Sequence, residues 1–521
     1  MKPRVRTVRN ERGVALPLAL FALVMLSGLL LAFLTMAGME PEMSANLSDV
    51  ARARYMADAG VEWAYDQLVT NMSWNNVLLG ADLVANTADD GRLALNQMLP
   101  APLNNANFGT FTVVARNDDQ NGDAALTGLP ACNGGGASDC GPTVPTKTND
   151  NNGAVIVTAT GTYRGITRQI QVVLRRVNLP PFSGSYNVPG AQADLSFSNP
   201  NFIIDGRDYE YKCTASCSDP NPLKRTYAYS AKADQSKMKY AISTGVGNQF
   251  NTPGQTYEQR AQINLDTPPK QNNVMGKSQV GGGFTTGLNS VAPDASMGAL
   301  VTVPDGTTDP PQTPKAMNDF LNQLAAFQST TIYQAKIACA QDVSGTPVGI
   351  LMKANSDPLK ANVVTIQDGC GLNKQLDLGT VDKPQLVYFR GDLDPTSAFA
   401  GIMTQDGPGG QKKIKGAGIL VVEDGDFRMT NEFDWDGIII VTGRYVSSIF
   451  QGNAKVNIYG ATVANETKKC ESGGGACGAA SGTLWDGSFQ TSNSANLFFS
   501  QQNLDLVQRK LLFRMSTWRE L

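Results

Sequence analysis

Two hydrophobic patterns follow each other in the first 68 residues. Residues 14–39 carry no charge, and as a helix these 26 residues are about 39 Å long, enough to cross a bilayer. Apolar residues then recur at spacings of three and four, at Leu47, Val50, Ala53, Ala57, Val61, Ala64 and Leu68. This spacing predicts an amphipathic helix with one buried face. We therefore predict one helix over 14–68, with the half at 14–39 in a membrane.

Strand patterns dominate the remaining chain. Residues 109–116, 154–160 and 166–176 alternate like strands, and the turn at 163–165 joins the last two as a hairpin. Three segments of glycine followed by apolar residues begin at Gly418, Gly437 and Gly460, spaced 19 and 23 residues apart. Such a repeat predicts a β-solenoid over 416–465. A helical stripe is present over 315–340.

These patterns divide the chain into five parts and predict an α+β fold. The parts are a leader at 1–13, the helix at 14–68, a β domain at 69–178, a large β-rich domain at 179–500, and a helical tail at 501–521. The helix is expected to lie on an antiparallel sheet, followed by a mainly β head with a solenoid-like C-terminal part. The leader is basic, with Lys2, Arg4, Arg6, Arg9 and Arg12 opposed by Glu11, which places it in the cytoplasm and everything after Met39 outside.

Composition excludes several functions. The chain has no histidine, which excludes Ser-His-Asp and Cys-His catalysis and zinc sites with imidazole ligands. It has 43 Lys and Arg against 46 Asp and Glu and no basic block after the leader, so nucleic-acid binding is not expected. We predict no enzymatic activity. The predicted solenoid carries five acids, Asp424, Asp426, Glu432, Asp434 and Asp436. We expect them to lie in solvent-exposed turns. Paired carboxylates also perform glycoside hydrolysis, which is the alternative.

Eight cysteines indicate an oxidising compartment. They are Cys132, Cys140, Cys213, Cys217, Cys339, Cys370, Cys470 and Cys477. An even count with short spacings predicts disulfides, but the spacing does not fix their pairing, and a structural zinc site is the alternative.

A polar segment after the predicted strand at 109–116 is a candidate calcium loop. Its oxygen ligands would be Asn117, Asp119, Asn121 and Asp123. Position twelve of the loop is Gly128, which supplies no carboxylate, so a plain Asx-rich turn is the alternative. Calcium is the one candidate cofactor.

Two motifs near the N-terminus resemble those of PilX-type minor pilins of the type IV pilus. The segment Glu11–Leu16 resembles a prepilin-peptidase site, in which cleavage after Gly13 leaves Val14 as the new N-terminus. The segment Tyr55–Glu62 resembles the "A-E-A-G-x-E" segment of these proteins, with Asp58 in place of Glu.

The resemblance implies an assembly protein with a pilin-like sheet. Its filament-core helix would include Leu16, Pro17, Leu18, Leu20 and Phe21. Major pilins carry Glu at the fifth mature position, which here is Leu18, and tip pseudopilins also lack it. The expectation is therefore a minor pilin that primes pilus assembly and sits at or near the tip.

The implied partners are other minor pilins, the major pilin, a PilY-type tip adhesin and prepilin peptidase. The implied location is the bacterial inner membrane, crossed once with the C-terminus in the periplasm, and then the pilus tip at the cell surface. The tip pseudopilin of a type II secretion system, a membrane-anchored carbohydrate-active β-helix and an ordinary single-pass anchor remain as alternatives.

Overall fold

The computed structural model describes the chain in segments. These are residues 15–71, 74–120, 122–127, 148–150, 152–190, 194–197, 199–220, 225–248, 254–302, 312–328, 340–341, 347–348, 350–354, 357–364, 375–390, 401–404, 413–429, 431–450, 454–466, 487–491 and 494–521. The helices within them are α1 (Ala15–Thr70), α2 (Trp74–Leu78), α3 (Asp123–Thr127), α4 (Tyr257–Gln262), α5 (Pro268–Gln271), α6 (Lys315–Gln328) and α7 (Gln501–Lys510).

The strands follow in chain order. The first fourteen are β1 (Arg92–Gln97), β2 (Thr110–Asn117), β3 (Ala154–Tyr163), β4 (Ile166–Arg176), β5 (Gly184–Val188), β6 (Asp194–Phe197), β7 (Phe202–Asp205), β8 (Tyr209–Ala215), β9 (Thr226–Ala231), β10 (Tyr240–Thr244), β11 (Val274–Lys277), β12 (Phe284–Thr286), β13 (Val291–Pro293) and β14 (Leu300–Thr302). The others are β15 (Gln312–Pro314), β16 (Ala340–Gln341), β17 (Pro347–Val348), β18 (Ile350–Ala354), β19 (Asp357–Val364), β20 (Gln375–Leu378), β21 (Gln385–Arg390), β22 (Gly401–Thr404), β23 (Lys413–Met429), β24 (Glu432–Phe450), β25 (Lys455–Glu466), β26 (Gly487–Thr491), β27 (Ala495–Phe499) and β28 (Phe513–Glu520).

The chain divides into two compact units. The first contains Met1–Arg175 and Met515–Leu521, and the second contains Arg176–Arg514. The second unit is therefore inserted in sequence between two strands of the first unit's sheet, β4 and β28. This is an α+β protein: a long N-terminal helix on an antiparallel sheet, with a β-rich second unit.

The sheet of the first unit has the order β1-β2-β3-β4-β28. The predicted hairpin is present: β3 and β4 pair antiparallel, with Tyr163 opposite Ile166. Its two turn residues, Arg164 and Gly165, have φ of 47° and 82°, as a two-residue hairpin turn with positive φ at both positions requires.

The C-terminal half of α1 packs on this sheet through small side chains. Its buried residues are Ala53, Met56, Ala57, Gly60, Val61, Ala64 and Leu68. The contact is closest at Gly161 of β3, where a Cβ would lie 2.0 Å from the Ala53 carbonyl oxygen and 2.3 Å from the Ala57 nitrogen. The helix backbone therefore rests directly on β3. The predicted helix is present as Ala15–Thr70. Its predicted buried face holds from Ala53 to Leu68, but Leu47, which was predicted on that face, is 68% exposed.

The second unit is a stack of parallel strands. The main path runs β11-β7-β27-β25-β24-β23-β20, with β12 added antiparallel at the β11 end. Parallel pairs also join β5 to β10 and β25, and β26 to β6 and β24. The parallel stacking therefore reaches well beyond residues 416–465, where a solenoid was predicted, and includes strands from 184–293.

The three glycines of the sequence repeat lie in register on neighbouring strands of the stack. Gly418 pairs with Gly437, and Gly437 pairs with Gly460. Their φ angles are 123°, 141° and 151°, in the region that favours glycine. A Cβ on Gly437 would lie 2.1 Å from the Gly418 carbonyl oxygen. The repeat thus marks positions inside the strands where there is no room for a side chain.

The apolar run after each glycine is buried on both faces. One face points into the stack, with Leu420, Val422, Ile439 and Val441 in its core. The other face packs under α6 and α7, and this cluster includes Ile419, Val421, Ile438, Ile440, Met317, Phe320, Leu324, Leu504 and Val507. Burial on both sides explains why the sequence shows continuous apolar runs here instead of alternation.

The C-terminal tail differs from the prediction. A helical tail was expected over 501–521, but the helix ends at Lys510 and residues 513–520 form β28. This strand pairs antiparallel with β4: the Leu521 amide donates to the Gln169 carbonyl at 2.9 Å, and the Val177 amide donates to the Leu512 carbonyl at 2.9 Å. The tail forms a strand because β4 offers it an edge, which no local pattern in the tail encodes.

Candidate functional site

The first candidate site is the N-terminal half of α1. It is the one helix in the described part of the chain that is long and apolar enough to cross a membrane. The side chains predicted for the filament-core helix begin it: Leu16, Pro17, Leu18, Leu20 and Phe21, all exposed. A helix face this apolar and this exposed requires a lipid or protein environment. Gly13 and Val14, the predicted cleavage site, lie outside the described residues.

The motif at residues 55–62 has a clear packing role. Ala57 and Gly60 face the sheet, and a Cβ on Gly60 would lie 3.1 Å from both Val113 Cγ2 and Ala159 Cβ. Burial raises the pKa of Asp58, while the neighbouring Arg54 lowers it. The small residues of the motif therefore let α1 approach the sheet closely.

The candidate calcium residues are only partly described, and one is engaged elsewhere. The Asp123 carboxylate receives two hydrogen bonds from Arg116, at 2.6 and 2.7 Å. These bonds and the arginine charge hold the pKa of Asp123 below its usual range, although burial opposes them. The Asn117 amide donates to the Asn149 carbonyl at 3.0 Å. Asn121 lies outside the described residues, within which no group of three or more metal-binding side chains occurs.

One cysteine pair is described, and it forms a disulfide. Cys213 and Cys217 are bonded, with their Cα atoms 5.7 Å apart. They lie at the end of the hairpin formed by β8 and β9, a two-stranded sheet of its own. The other six cysteines lie outside the described residues: Cys132, Cys140, Cys339, Cys370, Cys470 and Cys477.

Two of the acids in the solenoid prediction share one lysine partner. Asp424 and Asp426 lie on β23, and their side chains are outside the description. Glu432 forms an ion pair with Lys413, with 3.0 Å between its Oε2 and the lysine Nζ. Asp434 Oδ2 lies 3.7 Å from the same nitrogen.

Asp436 differs from the other acids in its hydrogen-bond partner and in its pKa. Tyr229 of β9 donates to its Oδ1 at 2.5 Å. Burial beneath this hairpin raises the pKa of Asp436 to about 7, against the opposing effects of the Tyr229 hydrogen bond and the Lys415 charge.

The β8–β9 hairpin carries a cluster of tyrosines that faces the stack. The Tyr229 ring stacks on the Tyr459 ring of β25, with 3.6 Å between the ring centroids. The Tyr209 ring packs against the Phe498 ring of β27, with 4.7 Å between the centroids. Tyr227 donates to Asp382 at 2.5 Å. This arrangement was not predicted from the sequence. The signal available in the sequence was the alternation of tyrosines at 209, 211, 227 and 229 around the Cys213–Cys217 pair.

The comparisons with known proteins yield one structural likeness, and it is weak. No protein-family model matches the chain, and no curated protein matches it significantly. Among solved structures, the chain is similar to the crystal structure of competence-associated pilin ComZ from Thermus thermophilus, with a TM-score of 0.21 and 13% identity over 91% of this chain and 97% of that chain. A TM-score this low carries no argument about function, so the fold class rests on the helix and the sheets themselves.

Proposed function

We propose that this protein is a minor pilin that primes type IV pilus assembly and sits at or near the filament tip. The observation that carries the proposal is the division of α1. Its first half is apolar and exposed, and its second half is buried on an antiparallel sheet. A helix built in this way holds a globular unit at a membrane and offers its apolar half to neighbouring helices.

The tip position is supported by Leu18. This residue stands where the resemblance to pilins places the glutamate of major pilins, and its side chain is 65% exposed. A subunit without the glutamate forgoes the pairing that would neutralise a carboxylate in an apolar filament core. The second unit would then be presented for an adhesin of the PilY type or for a surface. Assembly would begin in the inner membrane with other minor pilins and end on the cell surface.

We propose no enzymatic role for the acids on the stack. Glu432 and Asp434 are engaged by Lys413, and Asp436 is covered by Tyr229. These contacts support a structural use of the carboxylates and disfavour the carbohydrate-cleaving alternative, in which a pair of acids must reach a sugar ring.

The proposal is tested by the N-terminal sequence of the protein recovered from cells with and without prepilin peptidase. We expect a start at Val14 that depends on the peptidase. A Gly13→Leu variant should keep the leader, whereas the matched Gly28→Ala variant, in the apolar half of α1, should be processed normally. An intact leader in wild-type protein from peptidase-positive cells would contradict the pilin assignment.

The tip position needs its own measurement. Gold labelling of an epitope added after Leu521 should mark filament ends and not the shaft. Regular labelling along the shaft would contradict the tip position but leave the pilin assignment intact. Genomic neighbours of the secretion type would favour a type II secretion filament.

A further inference from the structure

The β8–β9 hairpin lies across the stack as a strap, a name used here for residues 209–215 and 226–231. At its base, the Ser500 hydroxyl donates to the Tyr209 carbonyl at 2.8 Å, and the Tyr211 amide donates to Gln502 Oε1 at 2.8 Å. Near its tip, Arg225 forms an ion pair with Asp382 at 2.9 Å. Both ends are therefore fixed to parts of the stack that lie far away in sequence.

Beneath the middle of the strap runs a row of side chains from successive strands. Asp436 pairs in register with Tyr459, and Tyr459 pairs with Phe498. The Tyr459 and Phe498 rings stack on each other at 4.8 Å. Tyr229 covers the first two members, since it stacks on one and donates to the other. The strap thus covers a row of two aromatic rings that has the Asp436 carboxylate at one end.

The surroundings of this carboxylate contain charges of both signs. Lys415 of β23 and Asp434 of β24 act on Asp436 in opposite directions. From the strap, the Tyr229 hydroxyl donates to it. The charge of Asp436 also raises the pKa of Tyr211 on the strap and of Tyr459 on β25, after the larger effect of burial on each. From α7, the Asn503 amide donates to the Tyr229 hydroxyl at 3.1 Å. Among the described residues, Asp436 forms no ion pair with a lysine or an arginine. Its negative charge is therefore poorly compensated while the strap is closed.

We propose that the strap is a pH-sensitive closure of the stack, held shut while Asp436 carries a proton and loosened when this carboxylate ionises. The physical reason is desolvation. Asp436 is half-buried, so an ionised carboxylate under the strap has lost part of its water and gained one tyrosine hydroxyl. Lifting the middle of the strap restores the lost water. The same movement uncovers the Tyr459 and Phe498 rings, which makes an aromatic surface on the second unit available only above a certain pH.

The direction of the effect follows from linkage. The pKa of Asp436 is raised from 3.8 to about 7 in the closed state, so the closed strap binds the proton more tightly than the open one. The closed state is therefore most favoured at low pH, loses stability as pH rises through this window, and changes little above pH 7. Between pH 5.5 and 8.0 the open fraction should rise by about tenfold or more.

The test is hydrogen exchange with mass spectrometry on the full-length chain in detergent micelles, at pH 5.5 and 8.0. Exchange rates of the strap amides are corrected for the intrinsic effect of pH, so that only opening remains. We expect at least about tenfold more opening at pH 8.0. Equal protection at the two pH values in the wild-type protein would overturn the proposal without the need for any variant.

Two variants separate the titration of Asp436 from a purely structural effect. Asp436→Asn should keep the strap closed at both pH values and abolish the difference between them. The matched variant Asp434→Asn, which changes a carboxylate two residues away on the same strand, should retain the difference. A pH difference that persists in Asp436→Asn would show that another group drives the opening and would overturn the proposal.

A third variant tests the role of the tyrosine hydroxyl. Tyr229→Phe keeps a ring to stack on Tyr459 but removes the donor to Asp436. Protection should be close to wild type at pH 5.5 and lower than wild type at pH 8.0. Equal loss at both pH values would indicate a packing defect and would contradict the proposed coupling.

Discussion

At the scale of single residues, the second unit depends on glycines at positions where no other residue fits. Gly437 has φ of 141°, and its missing side chain leaves room for the Gly418 carbonyl of the neighbouring strand. The same arrangement is repeated where Gly460 meets Gly437, at which a Cβ would lie 1.8 Å from the carbonyl oxygen. The glycine repeat of the sequence is therefore a requirement of backbone geometry and close stacking together.

Replacement of Gly437 by alanine should destabilise the second unit by about 2–4 kcal/mol, because it adds both backbone strain and a steric overlap. The measurement is denaturant unfolding followed by tryptophan fluorescence, since Trp435 is buried in the stack. Gly281→Ala is the matched control: this glycine also has positive φ, at 78°, but a Cβ there meets nothing within 4 Å. A similar loss in the two variants would show that strain alone, and not close stacking, sets the effect.

At the scale of elements, the sequence was a good guide wherever burial produces a local period. Helix α1, strands β2, β3 and β4, and the glycine repeat were all predicted from such patterns. Helix α6 begins at Lys315 as predicted and ends at Gln328. Residues 329–339 of the predicted helix are not among the described residues, and its last residue, Ala340, lies in strand β16 instead.

What the sequence did not predict are the pairings between strands that lie far apart in the chain. The four-residue strands β6 and β7 join the stack by pairing with β26 and β27, almost 300 residues later in the chain. Strand β28 likewise depends on β4. Such pairings leave no period in a short segment, so only tertiary structure reveals them. The same holds for the strap, whose tyrosines gain their role only from Asp436, Tyr459 and Phe498.

The contact between α1 and β3 yields a prediction at this scale. Gly161→Ala should lower the free energy of unfolding of the first unit by about 2 kcal/mol or more, because the new methyl group overlaps the helix backbone at Ala53 and Ala57. Thr162→Ala, on the side of β3 that faces away from the helix, should change it by no more than about 0.5 kcal/mol. Thermal unfolding of the two variants in micelles distinguishes them. A tolerated Gly161→Ala would mean that the helix lies farther from the sheet.

At the scale of the whole molecule, the path of the chain through the second unit is its distinctive feature. Strands from residues 184–293 form one part of the stack and strands from 375–499 form the other. The two parts join where β27 pairs with β7 and β25 pairs with β5. The beginning and the end of the unit therefore meet within the stack instead of lying at opposite ends of it.

This path predicts that the second unit folds without the first. Its ends are held together by the Val177–Leu512 hydrogen bond, and its core contains strands from both of its halves. A fragment of residues 176–514 should therefore be soluble and should unfold in one cooperative transition, measured by circular dichroism against denaturant. A fragment of residues 294–514 is the matched control, and it should fail to fold because it lacks β5, β6, β7 and β10. If the control unfolds as cooperatively as the complete unit, the N-terminal strands are accessories to the stack. If only the complete unit does so, the N-terminal strands are an essential part of the stack.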